Sequence, residues 1–199
     1  HRGLTFPRLT VADGHLGIWA AFGEMHPTGT EQRCWNHKIA NVLNDLPKTV
    51  QRQAAERLKA MPYAEPQGEC ERRRDAFVRT YHKTDKKAVE TLLRDGDRMV
   101  TFYAFPREHW RHLRTTTIVE SPFSSVRLRT DASRRYKRVA GATAIIWKML
   151  RVAEQAWRTL NASELLPLVA SGMTFKDGIA LKSGHERNHL DHQPERTAA

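Results

Sequence analysis

The chain reads Leu9-Thr-Val-Ala-Asp-Gly-His-Leu-Gly-Ile-Trp19 close to its start. Its first four residues are apolar or β-branched and lie between Pro7 and Asp13-Gly14. This composition predicts a short buried strand. Leu16 and Trp19 then begin a helical spacing of apolar residues. We therefore expect a strand whose carboxyl end presents Asp13 to a loop.

Asp13 has two interpretations on this pattern. Asp-Gly is a common turn former, so Asp13 taken alone would indicate only a turn. Gly14 and Gly17 leave room for a ligand or for the close approach of a helix. The combination favours a functional carboxylate.

A second acidic residue, Glu120, follows Arg114-Thr-Thr-Thr-Ile-Val119 after a long basic segment with helical patterns. Metal-dependent cleavage of a phosphodiester uses converging carboxylates that hold two cations about 3.5–4 Å apart. Asp13 and Glu120 would be two members of such a nuclease site, and we expect a third carboxylate upstream. His1 stands where an initiator methionine would be, which predicts that the chain begins inside a larger protein.

The helix around Glu120 has two possible starts. Thr117 and Glu120 match a capping box, in which the cap and a Glu three residues later satisfy each other's backbone donors. Ser121 followed by Pro122 is a rival start that would leave Glu120 just outside the helix. The early start would place Glu120 and Arg127 on one face, two turns apart.

Charge favours a polyanionic partner. Thirty-three Lys and Arg against 22 Asp and Glu leave a net charge of +11, and such a balance promotes salt-dependent binding of nucleic acid. A basic run follows Glu120, and we favour nucleic-acid contact for it over a merely solvated face. The run comprises Arg127, Arg129, Arg134, Arg135, Lys137 and Arg138.

Several classes of protein are disfavoured. Two dissimilar cysteines do not suggest a disulfide framework, which indicates a reducing compartment. No segment approaches about 18 to 20 continuous apolar residues, and the first residues lack the pattern of a signal peptide. Nucleophile-elbow, Walker and dinucleotide-binding motifs are absent from the sequence.

The rest of the chain has mainly helical patterns. A second short strand is predicted over Glu31 to Trp35, and a helix that follows it ends at Pro47. Amphipathic helices are predicted over 50–61, 70–81 and 89–99, and an apolar stripe from Ile145 to Leu160 marks the last helix. Val126, Phe123 and Leu128 are expected to pack, and Trp110 is the one tryptophan suited to base stacking. Polar residues after 181 predict a disordered tail.

Cys34 and His37 are three residues apart, which is the spacing of half of many zinc sites. The second half is missing, because Cys70 stands alone and His185, His189 and His192 lie in the predicted tail. A packing or hydrogen-bonding role for Cys34 and His37 is therefore favoured over structural zinc.

Taken together, these blocks resemble the C-terminal part of Mutator-type bacterial insertion-sequence transposases from about residue 2 to about 180. The order of the blocks, with a helical stretch between them, is more specific than any single block. They are Val11-Ala-Asp-Gly-His-Leu-Gly-Ile-Trp19, Gln32-Arg-Cys-Trp-Asn-His-Lys38 with Asn41-Val-Leu43, Phe102-Tyr103, Glu108-His-Trp110, Arg114-Thr-Thr116, Glu120-Ser121 and Val126-Arg-Leu-Arg-Thr130.

The resemblance implies an α/β chain with an RNase H-like catalytic core of the DDE type, interrupted by an α-helical insertion and mostly helical as given. The implied units are a partial core over 1–37, the insertion over 38–105, the core's return over 106–180 and the tail over 181–199. The first catalytic aspartate and the N-terminal strands of the core would be missing. The implied reaction is metal-dependent cleavage of element ends and their transfer into target DNA.

The same resemblance assigns roles to single residues. Asp13 would be the second catalytic aspartate and Glu120 the catalytic glutamate, both ligating Mg²⁺ or Mn²⁺. Cys34 and His37 match the family's Cys-x-x-His signature. Arg127, Arg129 and Arg114 would contact DNA.

Further expectations concern the setting of the protein. The partners would be the terminal inverted repeats and the target DNA, in a homo-oligomeric complex at the bacterial nucleoid in the cytoplasm, without a membrane. The chain departs from the family pattern at Thr117-Ile118 and at Pro122, beside the glutamate. We expect the isolated chain to be inactive. The competing hypothesis is a catalytically inert remnant or a basic helical module that binds nucleic acid.

Overall fold

The computed structural model describes residues 7–133 and 135–181. Most of this part of the chain is helical, with four short strands. Within these residues, no helix is both long and apolar enough to cross a membrane. The predicted tail from 182 onward, with its three histidines, and Arg134 lie outside the described residues.

The first three elements form a β-α-β unit. Strand β1 (Leu9–Ala12) pairs in parallel with β2 (Thr30–Arg33), and helix α1 (Leu16–Met25) connects them. The predicted strand and helix are confirmed. The second strand ends earlier than predicted, because Cys34 has an extended backbone and Trp35 already begins the next helix. Since the strands are parallel, the residues that follow them, Asp13 and Cys34, lie at the same edge of the sheet.

A bundle of helices follows the second strand. Its members are α2 (Trp35–Asn44), α3 (Lys48–Ala60), α4 (Gln67–Tyr81), α5 (Lys86–Leu93) and α6 (Gly96–Met99). One hydrophobic core joins them and also includes Trp110. This core extends beyond both ends of the insertion predicted over 38–105, because it includes Trp35 and Trp110. The boundaries of the insertion therefore stay a prediction.

The helix predicted over 89–99 is wrong as a single element. The chain breaks between α5 and α6 at Asp95, which has a left-handed backbone with φ 62°. Aspartate tolerates this conformation better than most residues. The Asp95 side chain pairs with Arg33 and Lys38, so interactions from outside the helix stabilise the break.

Three short segments lead to the longest helix. They are 3₁₀ turns at Thr101–Ala104 and Arg107–His109 and helix α7 (Trp110–Leu113). Trp110 is only 2% exposed, and its Nε1 donates to the Phe105 carbonyl at 2.8 Å. The prediction that Trp110 stacks on bases is therefore wrong, because its ring belongs to the protein core.

Helix α8 (Thr117–Ser133) takes the early start, so Glu120 lies in its first turn and Pro122 inside it. The carbonyl of Thr116 accepts from the amides of Val119 and Glu120 at 2.9 and 3.1 Å. The helix therefore begins one residue earlier than a capping box with Thr117 as its cap would require, and Thr116 takes the cap position.

The last long helix, α9 (Val139–Glu154), packs against α8 but has no buried residue. Its predicted apolar stripe is only partly covered. Ile146, Met149 and Leu150 are half-buried, whereas Ile145 is 39% exposed and Trp157, beyond the end of the helix, is 57% exposed. The prediction that Phe123 and Leu128 pack is also wrong, whereas Val126 is buried. Apolar spacing predicted a helix here, but α9 ends at Glu154, before Trp157 and Leu160 of the predicted stripe. The spacing also did not reveal what would cover the apolar face.

A small hairpin closes the described chain after helix α10 (Leu166–Ala170). Strands β3 (Phe175–Lys176) and β4 (Ile179–Ala180) are antiparallel, and Asp177 and Gly178 between them both have positive φ. Asp-Gly is a strong hairpin signal that the sequence analysis did not use. The hairpin is attached to the helical bundle by a hydrogen bond from the Gly178 amide to the Tyr103 carbonyl, 3.1 Å long.

Candidate active site

Asp13 is exposed immediately after β1. Its Oδ1 accepts a hydrogen bond from the amide of His15 at 2.9 Å. Among the described residues, no donor is bonded to the other carboxylate oxygen. The carboxylate is therefore held by its own loop and leaves one oxygen available to a ligand.

Arg33 supports the loop that carries Asp13, and the sequence analysis did not identify it. Gly14 has φ +93°, and a Cβ at this position would overlap the guanidinium of Arg33. Arg33 is 8% exposed, and its Nη1 lies 2.7 Å from Asp95 Oδ2. Lys38 Nζ lies 3.5 Å from the same oxygen. A buried charge network thus connects the Asp13 loop to the break between α5 and α6.

Lys38 itself is almost fully buried at the end of α5. Its ammonium donates to the Thr91 carbonyl at 2.8 Å and to the Arg94 carbonyl. Burial, together with the nearby Arg33 charge, lowers the pKa of Lys38 to about 8, although Asp95 opposes this change. Two backbone acceptors and one carboxylate therefore satisfy this cation inside the bundle.

Glu120 lies near the start of α8 with its side chain 48% exposed. Its Oε1 is hydrogen-bonded to the Thr116 hydroxyl. The same oxygen is 3.8 Å from His37 Nδ1, within the range of an ion pair but too long for a hydrogen bond. His37 Nδ1 is buried without a hydrogen-bond partner among the described residues.

Cys34 connects the surroundings of the two carboxylates. Its amide donates to the carbonyl of Ala12, the residue before Asp13, at 2.8 Å. Its sulfur is 3.3 Å from the Thr116 amide and 3.2 Å from the Thr116 hydroxyl that is bonded to Glu120. Asp13 and Glu120 therefore belong to one contiguous set of contacts at the carboxyl edge of the β1–β2 sheet.

The donor atoms suit a hard divalent cation. Exposed carboxylate oxygens are the ligands that Mg²⁺ and Mn²⁺ prefer, and the Asp13 and Glu120 side chains both provide them. Within the described residues, no group of three or more His, Cys, Asp and Glu side chains could hold a metal ion. The two carboxylates at this edge are therefore the right kind of ligand for such a cation. The described residues do not provide a complete coordination sphere.

Arg114 does not extend freely into solvent. Its guanidinium carbon lies 4.8 Å from the ring centroid of Tyr63, 5.2 Å from that of Phe102 and 5.8 Å from that of Trp110. Burial lowers the pKa of Arg114. Its carbonyl accepts from the Trp35 amide at 2.9 Å, which attaches the segment before α8 to the start of α2.

Arg127 and Arg129 are exposed on α8, the same continuous helix that carries Glu120. The described residues offer neither of them an ion-pair partner. Arg135, Lys137 and Arg138 are also exposed in the segment that follows. The cations predicted to contact DNA are thus accessible along one helix and the connection after it, whereas Arg114 is engaged by aromatic rings.

The geometry places two carboxylates, a Cys-x-x-His pair and a basic helix at one edge of a β-α-β unit. The sequence model described as Transposase, Mutator family, matches residues 1–159. This chain belongs to the Mutator family of transposases. The resemblance inferred from the sequence blocks is therefore confirmed.

Two relatives show how far the similarity of this Mutator-family chain extends. It is 41% identical over 179 residues to the transposase for insertion sequence element IST2 of Acidithiobacillus ferrooxidans, covering 89% of this chain and 60% of the relative. It is 40% identical over 181 residues to the transposase for insertion sequence element IS6120 of Mycolicibacterium smegmatis, covering 91% and 56%. The chain thus spans less than two thirds of the length of these curated relatives.

Proposed function

We propose that this chain carries two of the three acidic ligands of a DDE transposase that cleaves and joins DNA with Mg²⁺ or Mn²⁺. The observation that carries the proposal is the contact path from Ala12 through Cys34 and Thr116 to Glu120. This path holds the Glu120 segment at the edge of the sheet where Asp13 follows β1. Because the chain belongs to a family of transposases, DNA is the substrate that we propose.

In this proposal each residue has a defined task. Asp13 and Glu120 ligate divalent cations, which when bound activate the attacking oxygen and stabilise the leaving oxygen. The exposed Arg127 and Arg129 bind DNA phosphates beside them. In the cleavage step water attacks the phosphodiester at the element end, and the DNA 3′-oxygen leaves as a free 3′-hydroxyl. In the joining step this 3′-hydroxyl attacks a phosphodiester of the target and displaces the 3′-oxygen of the target strand.

The complete activity would belong to a longer polypeptide. The β-α-β unit would be part of an RNase H-like sheet, and the first aspartate, on another strand of that sheet, would lie outside residues 1–199. The chain covers only 60% and 56% of the length of the two relatives named above, which supports this division. The active complex would be a homo-oligomer on the terminal inverted repeats of the element.

The test is Glu120→Gln in the full-length transposase, assayed with DNA that carries the element ends. We expect joining to require Mg²⁺ or Mn²⁺ and to fall at least about a hundredfold in the variant, since the amide lacks the charge that ligates the metal. DNA binding should be retained. Glu56→Gln, an exposed residue of α3, is the matched control and should join normally.

Joining by Glu120→Gln at the wild-type rate would refute the assigned role. The isolated 199-residue chain should bind DNA without joining it. Binding with neither cleavage nor joining by the full-length protein under all metal conditions would favour the inert, nucleic-acid-binding module instead.

A further inference from the structure

We propose that Cys34 and Thr116 form a hydrogen-bond relay that positions the Glu120 carboxylate, and that this is the task of the cysteine in the Cys-x-x-His signature. The inference rests on the proposed function, because it gives the positioned carboxylate its metal. Cys34 and Thr116 are positioning residues in this scheme and do not touch the metal or DNA.

Thr116 is the centre of the relay. Its hydroxyl oxygen is hydrogen-bonded to Glu120 Oε1 and lies 3.2 Å from Cys34 Sγ. Its amide lies 3.3 Å from the same sulfur. Three hydrogen bonds thus meet at one residue immediately before α8.

The number of protons sets the direction of the relay. A hydroxyl has one proton, and an ionised carboxylate can only accept, so the Thr116 hydroxyl donates to Glu120. The contact between sulfur and hydroxyl oxygen then requires the Cys34 thiol to donate its proton to Thr116. The sulfur at the same time accepts from the Thr116 amide, so both capacities of the thiol are used.

The origin of the relay is rigid. Cys34 is 0% exposed, and its amide is bonded to the carbonyl of Ala12 at the end of β1. Glu120 is therefore connected, through Thr116 and Cys34, to the strand that ends immediately before Asp13. His37 approaches the same carboxylate oxygen from α2 at 3.8 Å, which limits its movement from a second direction.

The relay leaves the other carboxylate oxygen of Glu120 available. Only Oε1 takes part in the described contacts, and the side chain is 48% exposed. A metal ion could bind Oε2 while the relay fixes the carboxylate plane. Outer-shell hydrogen bonds of this kind typically change metal affinity 10- to 100-fold when they are removed.

The experiment uses the full-length transposase with Thr116→Val, which keeps the side-chain shape and the amide bond to sulfur but removes the hydroxyl. Thr117→Val is the matched control, because the Thr117 hydroxyl bonds Asn36 instead, at 3.0 Å. Mn²⁺ affinity is measured by electron paramagnetic resonance without DNA. Steady-state joining gives kcat and the KM for element-end DNA.

We expect Thr116→Val to bind Mn²⁺ about tenfold more weakly and to lose about tenfold in kcat, with the KM for DNA unchanged. Thr116→Ser should restore most of both quantities, and Thr117→Val should stay within about twofold of wild type. Wild-type Mn²⁺ affinity and kcat in folded Thr116→Val would overturn the relay.

A second pair guards against a variant that fails to fold. Cys34→Ser keeps a donor and an acceptor at the sulfur position, whereas Cys34→Ala removes both. The relay predicts that serine retains more Mn²⁺ affinity than alanine, and equal losses in both would refute it. If Glu120→Gln joins DNA normally, the proposed function fails. If only the Thr116 and Cys34 variants are normal, the relay alone fails.

Discussion

Replacing Gly14 with alanine tests how the loop of Asp13 is held. Gly14 has φ +93°, a conformation that L-residues rarely adopt. The added methyl group would also overlap the guanidinium of Arg33. Arg33 cannot simply turn away, because it is 8% exposed and its Nη1 is bonded to Asp95 at 2.7 Å. The substitution must therefore strain the backbone or displace a buried cation.

The expected magnitude follows from these two effects. A left-handed backbone costs a residue with a Cβ about 1–2 kcal/mol. Breaking a buried ion pair costs about 3–5 kcal/mol, but Lys38 remains 3.5 Å from Asp95 and partly compensates for the loss. We expect the free energy of unfolding to fall by about 3 kcal/mol in Gly14→Ala.

Urea unfolding monitored by tryptophan fluorescence measures this change, because Trp19 and Trp35 are buried in the folded protein and become exposed on unfolding. Gly23→Ala is the control, since a Cβ at Gly23 in α1 would meet no neighbouring atom within 4 Å. It should stabilise the protein by about 0.5–1 kcal/mol. Equal stability of the two variants would refute the account of Arg33 packed on Gly14.

Three further predictions concern cations, of which Lys38 and Arg114 are covered by the fold and Arg127 is exposed. Because burial lowers the pKa of Lys38 from 10.5 to about 8, the folded state binds fewer protons than the unfolded state between these values. Stability should therefore rise by up to about 3 kcal/mol as pH rises through this window, and urea titrations of Lys38→Met should lack this rise. Arg114→Ala should lower stability by about 1–2 kcal/mol through lost ring contacts. Arg127→Ala should leave thermal melting unchanged and reduce the salt dependence of DNA binding by about one charge. For Arg114→Ala, in contrast, an unchanged melting temperature would contradict a stabilising contact between Arg114 and the surrounding aromatic rings.

Local patterns predicted the elements near Asp13 well. A short apolar run followed by Asp-Gly has few alternatives to a strand and a turn, so β1 was predicted with its correct ends. The end of β2 was less predictable, because Trp35 is as compatible with a strand as with the first turn of a helix. The hydrogen bond from the Cys34 amide to the Ala12 carbonyl fixes where the strand ends, and Ala12 is distant from Cys34 in sequence.

The failures have a common physical cause. The break at Asp95 depends on Arg33 and Lys38, which precede it by more than fifty residues. The environment of Arg114 likewise depends on Tyr63 and Phe102, which the bundle brings together. Periodicity describes one segment at a time, so it contains no information on partners that tertiary packing supplies.

The structure gives a physical reason for the spacing of the Cys-x-x-His pair. Cys34 occupies the N-cap position of α2, with its backbone still extended and its amide bonded to β1. His37 follows after one helical turn, so both residues lie on the same side of the start of α2. That side faces the segment before α8, where Cys34 contacts Thr116 and His37 approaches Glu120. A spacing one residue longer or shorter would rotate the imidazole by about 100° around the helix, away from the carboxylate.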